Sequence, residues 1–135
     1  WSTQRDTRLN REALLALGPE TLQVEWQVMG NEAPNAAGDV IWNQRLQTGY
    51  MRFSGLPKNN PGVAQYQLWI IDADRGAYPV DGGVFDIPHD GEVLVPIQAK
   101  LAVGKPKAFA ITIEKPGGVV VSDQSRLPLL APAPE

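Results

Sequence analysis

Tyr66-Gln67-Leu68-Trp69-Ile70-Ile71 is the stretch whose reading decides the fold. In an extended chain successive side chains point to opposite faces, so Leu68 and Ile70 share one face and Trp69 and Ile71 the other. A strand that is apolar on both faces belongs in the middle of a sheet covered on both sides. Asp72-Ala73-Asp74-Arg75-Gly76 ends it.

Towards the C-terminus, Val80 to Ile87 reads as a weaker strand, interrupted by Gly82-Gly83, which marks a bulge or a close backbone approach. Pro88-His89-Asp90-Gly91 turns the chain into Glu92–Gln98, with Val93, Val95 and Ile97 on one face. Ala108 to Glu114 alternates Phe109, Ile111 and Ile113 with smaller side chains, a strong strand pattern. Gly117-Gly118 turns into Val119-Val120-Val121, and Arg126 to Leu130 reads as a last short edge strand.

Towards the N-terminus, residues 38–54 read as a hairpin built on Val40-Ile41-Trp42 and on Tyr50 to Ser54. Leu22, Val24, Trp26 and Val28 alternate with Gln23, Glu25 and Gln27 as in a single strand buried on one face. Leu9, Ala13, Leu14 and Leu17 recur at roughly helical spacing, and Gly18-Pro19 stops the helix. The chain is therefore expected to be all-β: an Ig-like or Greek-key β-sandwich of about eight short strands over residues 19–135. One amphipathic helix over residues 1–18 precedes it, either packed on the flank or serving as a juxtamembrane linker. It is expected to be the least tightly held element, since a helix this short is marginal alone.

Composition narrows the function classes. The 135 residues include 12 Pro and 13 Gly, which suits tight turns rather than a helical bundle. A net charge of −3 argues against nucleic acid, which selects a basic face. With no cysteine, thiolate zinc sites and thiol catalysis are excluded. No run of about eighteen apolar residues, the length a membrane-crossing helix needs, occurs. The chain opens on Trp1 without a signal peptide, which reads as the start of a fragment.

Few residues suggest chemistry. His89, the one histidine, lies in a turn without the neighbours of a nucleophile elbow. Asp72, Asp74 and Gly76 form a D-x-D-x-G fragment of a calcium loop, but lack its distal bidentate Glu and equally suit a strand-ending turn. Asp81, Asp86 and Asp90 offer carboxylates without a defined separation. Trp1, Trp26, Trp42 and Trp69 read as a sugar-stacking platform or, for the three within strands, as core. Gly82-Gly83 and Gly117-Gly118 lack phosphate-loop context and read as turns. No catalytic, cofactor-binding or metal-ligating residue is expected.

The order Val40-Ile41-Trp42, Tyr50 to Pro57, Tyr66 to Ile71, Gly83-Val84-Phe85 and Ile111 to Gly118 resembles the C-terminal domain of the anti-sigma-K factor family, over about residues 38–130. The matching residues are core aromatics and turn glycines, so they mark a family and no active site. The resemblance implies a bacterial parent with a cytosolic sigma-factor-binding domain, one membrane helix and this domain outside the membrane. It implies a sensory or regulatory role, with proteolysis releasing an extracytoplasmic-function sigma factor and a protein partner or protease acting on the outer part. The parent is then expected to carry roughly twenty apolar residues upstream of Trp1, enough to cross a bilayer. An adhesion-like or carbohydrate-binding module is the alternative.

Overall fold

The computed structural model describes residues 3–76 and 78–134. Helix α1 (Thr3–Leu15) and a short 3-10 turn (Gly18–Glu20) lead into nine strands. These are β1 (Thr21–Glu25), β2 (Gln27–Val28), β3 (Ala37–Asn43), β4 (Thr48–Ser54) and β5 (Gln65–Asp72). There follow β6 (Val80–Phe85), β7 (Glu92–Pro96), β8 (Pro106–Glu114) and β9 (Leu129–Pro132). They form two antiparallel sheets, ordered β1-β3-β4-β7 and β2-β9-β8-β5-β6, around one buried apolar cluster. The architecture is a β-sandwich preceded by a helix, as expected.

β5 lies between β8 and β6. Leu68 and Ile70 enter the inter-sheet cluster. Trp69, equally buried at 1% exposure, lies on the opposite face, where its indole N–H donates to Thr112 Oγ1 at 2.8 Å. That outer face is crossed by the segment after β8: Gln67 donates to the Val119 carbonyl and accepts from the Val119 N–H, both at 3.0 Å. The glycine pair is a bulge. Leu68 pairs with Gly83 and Trp69 with Asp81, leaving Gly82 extra, and a Cβ on Gly82 would fall 2.6 Å from Leu68 Cδ2.

Both sides of the sandwich are closed by a chain that changes sheets, the usual way of making a corner. The run from Thr21 to Val28 is not one strand: it breaks at Trp26, with β1 in the four-stranded sheet and β2 in the other. Burial of the Trp26 ring drives the bend. It stacks on Phe53 at 5.4 Å, while its indole N–H donates to the Arg52 carbonyl at 3.2 Å. On the far side, Ile97 N–H still bonds the Gly49 carbonyl, and then Gln98 and Lys100 N–H turn to the Gly82 and Asp81 carbonyls of β6.

The expected last edge strand is not at an edge. β9 sits between β8 and β2, because β2 crosses over and covers it. The preceding Val120 stands in an irregular segment, 91% exposed. Inside the core, Trp26, Phe53, Phe85 and Tyr66 form a near-parallel stack with centroids 5.3–5.7 Å apart. Each such contact contributes about 0.5–1.5 kcal/mol beyond area burial.

Trp69→Ala should cost about 3–5 kcal/mol, as for other buried aromatics. The thermal midpoint is expected to fall by on the order of 10 °C. An unchanged midpoint would contradict the burial described.

Candidate functional site

The most organised polar cluster joins α1 to the outer face of the four-stranded sheet. The helix forms within the stretch its apolar spacing predicted, but of those apolar residues only Leu14 is buried against the sheet. Leu9 and Leu17 remain 55% and 43% exposed, whereas Gln4, Thr7, Arg11 and Leu14 turn towards the sheet. Their spacing of three, four and three residues makes one continuous helical stripe. The sheet answers with matching chemistry, since Asp39 on β3 and Arg52 on β4 are cross-strand partners and Arg52 faces Leu94 on β7.

Arg11 donates to Asp39 Oδ1 at 2.8 Å, while Gln23 and Arg52 approach Oδ2 at 3.0 and 3.4 Å. Burial opposes the charge on Asp39. The hydrogen bonds from Gln23 and Arg11, with the charges of Arg11 and Arg52, outweigh it and hold the carboxyl below its ordinary range. Arg8 pairs with Glu92 at 2.6 Å, and Gln4 donates to the Leu94 carbonyl at 2.7 Å while accepting its N–H at 2.9 Å. Thr21 Oγ1 closes the far end, donating to the Leu14 carbonyl at 2.8 Å. Beneath the helix, Ile41 and Leu94 are buried outside the inter-sheet cluster. The whole arrangement is a clamp.

A cavity of about 270 Å³ opens at one end of the sandwich, lined by Tyr66, Val63, Ile113, Asn59, Glu32 and Arg126. The Tyr66 hydroxyl donates to the Pro57 carbonyl at 2.7 Å, and burial, aided by Glu32, pushes the phenol up to about 12. It is therefore unsuited to proton transfer near neutrality.

The family model for the C-terminal region of anti-sigma-K factor rskA matches residues 3–126. The chain belongs to that family. The match takes in α1 as well as the sandwich, beyond the residues that carried the sequence resemblance. A curated relative, anti-sigma-K factor RskA of Mycolicibacterium vanbaalenii, is 27% identical over 109 residues, covering 79% of this chain and 41% of the relative. The chain thus matches less than half of that protein's length. No solved structure matches it.

In this family member the residues singled out from sequence are dispersed. His89 Nδ1 contacts the Asp90 carbonyl in an exposed turn. Asp81 accepts from Gly83 N–H, and Asp86 from Asn59 and Gln65. Asp72 accepts the N–H groups of Asp74, Gly104 and Lys105 at 2.7–2.9 Å, so the D-x-D-x-G fragment clasps two connections together. Burial again opposes ionisation there and the backbone donors outweigh it, so the Asp72 carboxyl also lies below its ordinary range. Trp26, Trp42 and Trp69 are buried and form no exposed platform; Trp1 lies outside the described residues. Taken singly, Gln4, Asp39, Arg52 and Glu92 carried no signal of a site in the sequence, and Arg11 read only as part of the helix's polar face. The stripe spacing of Gln4, Thr7, Arg11 and Leu14 was the available signal, overshadowed by the more apolar Leu9, Ala13 and Leu17.

For Asp39 and Asp72 the folded pKa lies below the unfolded one, so their stabilisation is complete above about pH 4 to 5 and lost as pH falls through the folded value. Asp39→Asn should lower the urea midpoint at neutral pH, and its difference from the parent chain should shrink on acidification below about pH 4. A difference constant across that window would contradict the assignment.

Proposed function

We propose that this chain is the extracytoplasmic regulatory domain of a membrane-anchored anti-sigma factor that controls an extracytoplasmic-function sigma factor. The observation that carries this reading is the family match over residues 3–126, together with a relative of which the matched region is only 41%. The remaining length leaves room for an anchor and for a separate sigma-binding part. Among the described residues no helix is long and apolar enough to cross a membrane. The proposal assigns the anchor to a segment upstream of Trp1, as the family resemblance implies. The sandwich itself carries no catalysis in this account. Its part is to receive a protein partner or protease and to pass that event through α1 to the anchor, with proteolysis releasing the sigma factor.

The clamp changes what α1 does in such a parent. Docked through Gln4, Arg8 and Arg11, it is an integral element of the domain and no loose stalk. A cut in the linker therefore has to fall upstream of α1, or follow its release.

Pull-down of the cognate sigma factor separates the parts. The parent protein should retain it, and the 135-residue chain alone should not. Capture by this chain alone, or a parent with no hydrophobic span, would overturn the proposal.

A further inference from the structure

β7 ends the four-stranded sheet, and among the described residues one of its sides has no neighbouring strand. Ile97 N–H bonds Gly49 on β4, so in the antiparallel alternation Val93, Val95 and Ile97 face β4 while Glu92, Leu94 and Pro96 present their backbone outward. The central outward pair, Leu94 N–H and C=O, is taken by the Gln4 side-chain amide, which makes both bonds that a next strand would make. We propose that the β7 edge is a self-pairing interface capped by α1, and that the helix and β7 of a second copy compete for it.

The cap is built to yield. Beside the buried Thr7, the polar contacts that hold its first two turns include the amide of Gln4 and an Arg8–Glu92 pair whose side chains are 49% and 36% exposed. Water replaces such contacts at small net cost. The Arg11 Nε is buried without a partner, so the next contact inward is itself incomplete. The apolar anchor, Leu14, and its clasp from Thr21 lie at the other end of the helix. The first turns can lift while that end stays seated.

The exposed edge is self-complementary. Placing Leu94 opposite Leu94 of the second copy gives a two-fold antiparallel pairing with the two Leu94 residues exchanging both hydrogen bonds. Glu92 then lies opposite Pro96 in each half, and its N–H reaches the proline carbonyl. Pro96 has no N–H, which limits the ladder to this short register. Val93 meets Val95 on the core side, and the Leu94 side chains meet on the face the helix vacates. The two Glu92 carboxylates fall at opposite ends, so no like charges oppose each other.

The test is sedimentation over a concentration series of the intact chain and of Gln4→Leu/Arg8→Glu, which removes the amide and sets a carboxylate against Glu92. Circular dichroism checks the fold, and Gln4→Leu alone serves as a milder variant. The parent chain should be monomeric where the double variant dimerises with a Kd lower by about tenfold or more, with the single variant between them. Adding Leu94→Pro, which deletes an outward N–H from the ladder and also replaces a buried leucine, should return the double variant to a monomer that circular dichroism shows to be folded. A folded double variant that stays monomeric, a parent chain that dimerises equally well, or a dimer that survives Leu94→Pro would each overturn the proposal.

Discussion

A backbone N–H or C=O without a neighbouring strand needs another partner, and this constraint governs the molecule. Nine short strands in two sheets leave many such groups at edges and at the ends of connections. Side-chain amides fill the gaps. Gln4 pairs with Leu94, Gln47 with Val103, and Gln67 with Val119, each bonding both the N–H and the C=O of one residue. Asp72 serves the N–H groups alone, its two oxygens accepting from Gly104 and Lys105. The irregular segments are therefore fastened to the sheets and do not hang from them.

Those fastenings decide what the domain offers to a partner. Gln47 lies in the left-handed region at φ 53°, a cost that its two bonds to Val103 help to offset. The segment it holds leads into β8, the strand on which β5 depends. On the opposite face the same principle seats α1, with Asp39 accepting Arg11 across the interface. The helix is thereby fastened to the sheet most firmly at its Leu14 end, where Thr21 also clasps it.

Much of this was legible in the sequence. The two-faced apolar run made β5 central, alternation and turn residues placed the β3–β4 hairpin, and Gly82-Gly83 announced the bulge. What escaped was long-range. A period of two runs unbroken through Trp26, and nothing local says that its ring will turn into the core and send β2 to the other sheet. The interior place of β9 follows from that same crossing. Helix α1 was legible, but of the apolar residues that marked it only Leu14 turns fully to the sheet, because the sheet beneath presents Asp39, Arg52 and the outward Leu94 backbone, which Gln4 and Arg11 meet. A polar stripe is chosen when the surface it meets is polar.

Glutamine amides stand in for missing strands in this domain, and amide hydrogen exchange measured residue by residue tests their role most directly. In Gln47→Leu and Gln67→Leu, exchange should accelerate at Val103 and Val119 respectively, each in its own variant, with the β5 and β8 ladder amides still protected. Unchanged exchange at both positions, or a uniform rise across the whole sandwich in either variant, would contradict the account.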